Sequence, residues 1–237
     1  MSSPPALHVS DLRKVYDNGV TALHGISLDV AEGDFFALLG PNGAGKSTSI
    51  KLIMGLNRPD RGEIRVDGEN PQKKKQDVAY LPEIDHLYPW MNIAQAADFT
   101  RTFYADWDED KYQELIKFLN LQEDMKISKI SKGQRAKTKL LLTVSRRAPY
   151  LLMDEPLSGI DILTREEIIN TLIRDFREGE QTIIISTHEI AEVESLVDEV
   201  IFLDRGQVKL SGNAEDLRVE RNMSLVELMK EAFINAD

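Results

Sequence analysis

The run Gly40-Pro41-Asn42-Gly43-Ala44-Gly45-Lys46-Ser47-Thr48 contains the pattern G-x-x-x-x-G-K-[ST]. This pattern suits phosphate. Glycines let backbone N–H groups converge on phosphate oxygens with no side chain in the way. A helix that follows such a loop turns its positive N-terminal end toward the same oxygens. Lys46 can place a point charge on the outer phosphates, and the Ser47 hydroxyl can ligate Mg²⁺. The bland alternative is a mere glycine turn, but an apolar run precedes the loop and a helical pattern follows it.

A second element carries acids. Tyr150-Leu151-Leu152-Met153 is apolar and runs into Asp154-Glu155-Pro156. A carboxylate at the tip of a strand can hold Mg²⁺, usually through water. A second carboxylate beside it can orient and polarise an attacking water. We assign Asp154 to the metal and Glu155 to the water. Alone, the pair could be an acidic helix cap after a core strand. Beside a phosphate loop it suits phosphoryl transfer, which needs mainly positioning and charge neutralisation.

The elements that must position these groups are legible in part. Leu7-His8-Val9 and Ile26 to Val30 alternate apolar and polar residues, as half-buried strands do. Asp34 to Leu39 reads as a strand buried on both faces, ending at Gly40. Ser49 to Met54 reads as a helix stopped by Gly55, and Gly62 to Gly68 as a strand between turn glycines. From about residue 84 to 148 the character is helical, with Tyr112, Leu115, Ile116 and Leu119 at i, i+3, i+4 and i+7. Tyr150 to Met153 and Thr182 to Ser186 read as buried strands. Between them, Thr164-x-x-Glu167 suggests a capping box for a helix bearing Ile169, Leu172, Ile173 and Phe176 on one face. Val200 to Leu203 and Val208 to Leu210 flank Asp204-Arg205-Gly206-Gln207, a hairpin pattern. Ser224-x-x-Glu227 opens a last helix with Leu225, Leu228, Met229 and Ala232. Lys73-Lys74-Lys75 reads as a solvated turn. Alternating strands and helices imply an α/β protein with a parallel sheet covered on both faces. The middle helical stretch reads as a lobe inserted into it.

Composition removes several classes. With 237 residues, 42% hydrophobic and 29% charged, one domain with a sizeable core is expected. Cysteine is absent, which excludes disulfides, thiolate metal sites and a cysteine nucleophile. Phe35 to Leu39 and Leu140 to Leu142 are far shorter than the ~20 apolar residues that span a bilayer. Met1-Ser2-Ser3-Pro4-Pro5 carries no secretory signal, so the chain is expected to be soluble and to reach a membrane only through another polypeptide. The net charge of −11 argues against general nucleic-acid binding. Residues 126–147 nevertheless hold Lys126, Lys129, Lys132, Arg135, Lys137, Lys139, Arg146 and Arg147 without one acid. That run is either a solvated face or an anion-facing surface.

Asp154-Glu155-Pro156-Leu157-Ser158-Gly159-Ile160-Asp161 resembles the Walker B and D-loop segment of ATP-binding cassette (ABC) ATPases. Ile130-Ser131-Lys132-Gly133-Gln134-Arg135 is similar to their L-S-G-G-Q signature, and Ser186-Thr187-His188-Glu189 to the segment with their switch histidine. Tyr16 stands 24 residues before Gly40, where the family has an aromatic that stacks on adenine. The resemblance covers about residues 7–212. It implies a P-loop NTPase core with a parallel sheet, an N-terminal antiparallel β subdomain and an inserted α-helical subdomain. The expected division is 1–82 plus 149–212 for the core with its β subdomain, 83–148 for the helical part and 213–237 for a C-terminal helix. The resemblance further implies ATP with Mg²⁺, and a second ATPase subunit, as homodimer or heterodimer, arranged head to tail. Residues 40–48 and Tyr16 would bind the nucleotide, and Ser47, Glu83 and Asp154 the metal. Glu155 and His188 would act in catalysis. Ser131, Lys132, Gly133 and Gln134 would face the γ-phosphate held by the opposite subunit, which would account for the acid-free run. An integral membrane permease subunit would complete a transporter, with this chain cytoplasmic and peripheral on the inner face of the cell membrane.

Three departures stand out. Glu83, in Tyr80-Leu81-Pro82-Glu83, replaces the glutamine that many members carry. Lys132 replaces a signature glycine, and Ile130 replaces leucine. Tyr80-Leu81-Pro82-Glu83 with Leu87-Tyr88-Pro89 is similar to bacterial ABC-2-type export ATPases, which makes an exporter the expectation. Leu87, Tyr88, Trp90 and Met91 would dock the membrane subunit, or else serve as ordinary packing of the helical lobe. A soluble assembly-type ABC ATPase is the alternative. A guanine-reading N-K-x-D motif is missing, which argues against a GTPase. Lys46→Ala should weaken ATP binding in an equilibrium titration; unchanged affinity would contradict the role given to Lys46.

Overall fold

A computed structural model describes residues 5–175 and 181–234. Two sheets organise the chain. The smaller is antiparallel in the order β2-β1-β4, from β1 (Leu7–Val15), β2 (Thr21–Val30) and β4 (Arg61–Val66). The larger has the order β5-β6-β7-β3-β8-β9, from β3 (Phe35–Leu39), β5 (Val78–Leu81), β6 (Tyr150–Asp154), β7 (Thr182–Thr187), β8 (Glu199–Asp204) and β9 (Gln207–Asn213). All of its pairings are parallel except β8 with β9.

Strand β3 shows why its sequence is continuously apolar. Phe35, Ala37 and Leu39 enter the core shared with the helical part, while Phe36 and Leu38 enter the core beneath the smaller sheet. Both faces are covered, so alternation would strand a polar residue in a core. Helix α1 (Lys46–Ile53) lies between the sheets with Ile50, Leu52 and Ile53 buried. It begins at Lys46, earlier than the apolar pattern suggests, because its first turn faces the glycine-rich loop rather than a core.

The middle of the chain holds α2 (Ile93–Phe103), α3 (Glu109–Phe118) and α4 (Lys132–Val144). Asn92 with Gln95 and Ser131 with Gln134 form capping boxes, and Asp108 caps α3. Tyr112, Leu115, Ile116 and Leu119 are all buried, as their spacing predicts. The Arg205–Gly206 turn joins β8 to β9 with φ of 46° and 73°, the left-handed pair that suits a tight hairpin. Gly206 also stitches segments together: its N–H donates to Ala44 O and its carbonyl accepts from His24 N, both at 2.9 Å. A Cβ there would lie 2.5 Å from Ala22 O. The end of the chain, expected as one helix over 213–237, holds two: α6 (Ala214–Arg221), stopped at Asn222 with φ 50°, and α7 (Leu225–Ile234), which opens with the expected Ser224–Glu227 box.

Some expectations need correction. Helix α5 (Ile162–Asp175) is capped by Asp161, not Thr164. Asp161 Oδ1 accepts from Thr164 N at 3.0 Å and Oδ2 from the Thr164 hydroxyl at 2.8 Å. Thr164 is therefore inside the first turn. On that helix Leu172 is buried but Ile173 is 49% exposed, and Phe176 lies outside the described residues. Strands β1 and β2 run well past the alternating segments, through register shifts between Val9 and Val15 that break the period. Lys74 is not simply solvated, since it pairs with Asp67 and Asp77, each at 3.1 Å.

The acid-free run 126–147 is largely structural. Arg135 pairs with Asp85, Lys137 with Glu167 and Arg147 with Asp108. Arg146 is buried against the Tyr104 ring and forks onto both Asp106 oxygens at 3.0 Å. It also donates to Val78 O and Gln76 O, tying the end of α4 to the start of β5. The anion-facing reading does not account for these four cations, because their acids lie elsewhere in the sequence. Arg146→Met should lower the unfolding free energy by about 3 kcal/mol, since it leaves Asp106 and two carbonyls unmet. Urea denaturation measures this; a loss under about 1 kcal/mol would contradict the bridging role.

Candidate functional site

The strand register delivers the candidate residues to one end of the larger sheet. Leu38 is opposite Ser186, and Ser186 opposite Asp154, across β3, β7 and β6. The glycine-rich loop therefore begins beside the tips that carry the acids and His188. Gly40, Gly43 and Gly45 have φ of 159°, 83° and 107°. A Cβ on Gly45 would lie 2.7 Å from Ala22 O, so the loop passes too close to β2 for a side chain.

Lys46 is buried and bent back over the loop. Its ammonium donates to Gly40 O at 2.6 Å and Pro41 O at 3.1 Å, and pairs with Glu155 Oε1 at 2.9 Å. Glu155 Oε2 meets His188 Nδ1 at 2.8 Å. The carboxylate thus lies between a cation and an imidazole. Glu155 itself sits at φ 49°, with its N–H bonded to Ser186 O at 3.0 Å and to Ser186 Oγ at 3.1 Å. That turn swings the side chain off the strand line toward Lys46.

Asp154 Oδ1 accepts from Ser47 Oγ at 3.0 Å and from Ser186 Oγ at 2.7 Å. Ser47 and Asp154 therefore present hard oxygen atoms side by side, a donor set that suits a small divalent cation retaining water and phosphate ligands. The sequence alone does not mark Ser186 as a site residue in its own right. Its signal is a hydroxyl ending the otherwise apolar Ile183-Ile184-Ile185 run.

Lys46, Ser47 and Glu155 line a cleft of about 580 Å³; Asp154, Ser186 and His188 do not, and connect to it through their bonds to Ser47 and Glu155. Tyr16, Asn42 to Thr48, Glu83 and Glu155 form its walls, with Ser158 beside them. The Tyr16 hydroxyl is 3.2 Å from Thr48 Oγ1, which sets the ring at the rim. Nearby Tyr80 has its pKa pushed up by burial, and by the Asp154 and Glu83 charges. Ser131, Lys132, Gly133 and Gln134 are not among the residues lining this cleft. They stand at the start of α4, where Ser131 Oγ accepts from Gln134 N at 3.1 Å and Gln134 Oε1 accepts from Ser131 N at 2.9 Å. A Cβ on Gly133 would lie 2.7 Å from Thr164 Oγ1, so glycine lets α4 approach α5.

A family model described as ABC transporter matches residues 23–158. The aliphatic sulfonates import ATP-binding protein SsuB of Zymomonas mobilis is 32% identical over 207 residues, covering 86% of this chain and 85% of that protein. The glycine betaine/carnitine/choline transport ATP-binding protein OpuCA of Bacillus subtilis is 30% identical over 223 residues and 89% of this chain; the chain spans 58% of that relative's length. A solved ATP-binding subunit of an ABC transporter superposes with a TM-score of 0.84 at 29% identity, covering 96% of this chain and 99% of its own. The chain belongs to the ABC transporter family, as one of its ATP-binding ATPase cassettes.

Proposed function

We propose that this chain is the motor subunit of a membrane transporter, closing head to tail with a second ATPase subunit around two ATP molecules. One observation carries the reading. The cleft is lined by Asn42 to Thr48, Lys46 among them, and by Glu155, with Asp154 bonded to Ser47 and His188 to Glu155, while Ser131 to Gln134 are not among its lining residues. A helix start of this kind, whose capping box uses the Ser131 and Gln134 N–H groups but not those of Lys132 and Gly133, suits the γ-phosphate of a partner's nucleotide. Each complete site then needs two chains.

Within a site, the amides of residues 40–48 and Lys46 would hold the phosphates, and Tyr16 the adenine. Ser47 and Asp154, with Glu83 across the cleft, would hold Mg²⁺, which supplies charge neutralisation to the phosphates when bound. Phosphate oxygens compete with Glu155 for the Lys46 ammonium, so nucleotide entry frees the Glu155 carboxylate to orient water. His188, already bonded to Glu155, would hold that carboxylate and reach the γ-phosphate. The core of 1–82 with 149–212 and the helical part of 83–148 would be the units that shift on closure, with 213–237 as a C-terminal appendage.

A groove of about 500 Å³ opens beside β5 and α2. Tyr88, Met91 and Phe99 line it, the Trp90 ring lies 4.7 Å from that of Tyr88 and is tilted by 34°, and Leu87 is buried. This aromatic wall would receive a helix from an integral membrane permease. No helix among the described residues is long and apolar enough to cross a membrane, and the chain would sit on the cytoplasmic face through that permease. Export is supported only by the Tyr80-Leu81-Pro82-Glu83 segment with Leu87-Tyr88-Pro89; the SsuB relative is named for import.

Glu155→Gln should keep ATP binding and lower turnover about 100-fold or more, trapping a closed pair visible by sedimentation. Turnover at the parental rate would remove Glu155 from the chemistry. Purified from native membranes in mild detergent, the chain should carry a multispanning protein in fixed ratio. Soluble partners alone would favour an assembly-type ATPase instead. In proteoliposomes with the cassette outside, ATP-driven accumulation supports export and ATP-driven loss reverses it.

A further inference from the structure

Helix α4 carries Arg135 and Lys139 four residues apart, hence on one face. Lys139 is only 8% exposed, a rare place for lysine. Its ammonium donates to three successive backbone carbonyls, those of Pro82, Glu83 at 2.9 Å and Ile84 at 3.2 Å. An ammonium has three donors, so the set is complete. Arg135 Nη1 bonds the next residue, Asp85, at 2.7 Å, and its Nη2 bonds Ile127 O. Residues 82–85 are thereby strapped to α4 one after another.

Burial lowers the Lys139 pKa, against the pull of Asp85, Glu83 and Asp154. A leucine would fill this space without that desolvation cost. What the ammonium adds is a hold on the backbone of Glu83, whose residue lines the nucleotide cleft. The same helix ends at Ser131 on one side and passes the aromatic groove with Leu142 and Thr143 on the other.

We infer that Lys139 is a positioning residue: it sets the Glu83 backbone so that the carboxylate faces the cleft, and it makes the 82–85 loop and the start of α4 move as one piece when nucleotide binds. Its catalytic consequence rests on the ATPase reading above. Glu83 is then coupled to both the Ser131 helix start and the groove through a single rigid segment.

The test compares ATP turnover by the full chain and its Lys139→Met, Lys139→Arg, Glu83→Ala and Lys139→Met/Glu83→Ala variants. Lys139→Met should lower kcat about tenfold or more while leaving KM for ATP within about twofold. Lys139→Arg should restore most of the loss. The double variant should turn over no more slowly than Glu83→Ala, because the group that Lys139 positions is already gone. Parental kcat in Lys139→Met, or losses that simply multiply in the double variant, would overturn the inference. If the parent itself turns over no ATP, the ATPase reading fails, and NMR backbone order parameters decide the positioning role. A clear drop across 83–86 in Lys139→Met, with β6 unchanged, supports it. Equal order parameters reject it.

Discussion

Asp154 Oδ1 accepts two hydrogen bonds, from Ser47 and from Ser186, and three separate elements meet at that atom. Asp154 is 2% exposed, and a carboxylate so far from water is costly unless its lone pairs are met. Helix α1 and strand β7 therefore cannot drift from the tip of β6 without leaving a buried charge unmet. The glycine-rich loop hangs from α1, so its position follows. Glu155 follows too, since its N–H is held by the same Ser186.

Backbone conformation then does the aiming. Glu155 is not glycine, yet its φ of 49° is in the left-handed region. Such a residue costs of order 1 kcal/mol and persists only where its surroundings demand it. Here the Ser186 bonds, the Lys46 ion pair and the His188 contact together over-determine the turn. An extended Glu155 would continue the strand and point its carboxylate away from the cation.

The sequence was most legible where one local rule decided the outcome. Strand β3 needed apolar residues on both faces, and glycine spacing marked the loop beyond it. The Ser224–Glu227 box and the Tyr112 to Leu119 face obeyed short-range periodicity. Reading failed where a distant partner set the outcome. Thr164 looked like a cap because Glu167 follows at the right spacing, but Asp161, one turn earlier, had the carboxylate placed to accept from its N–H. Arg146 looked like part of a basic surface, although its acid is forty residues upstream at Asp106. Ser186 acquires its meaning only from the register that sets it opposite Asp154. Chain order carries no such register.

The strand order of the larger sheet bears on how the chain is made. Strand β3, which launches the glycine-rich loop, is flanked by β7 and β8 on its two edges. Both neighbours are encoded about 150 residues after it. The antiparallel sheet of residues 7–66 can pair as it leaves the ribosome, but β3 emerges with two unsatisfied edges and an apolar face on each side. It must wait through the entire helical segment before either edge is covered. The Gly206 stitch to Ala44 closes later still. Competence to hold nucleotide is thus among the last properties the nascent chain acquires, and a truncated chain ending before β7 would expose a strand suited to aggregation.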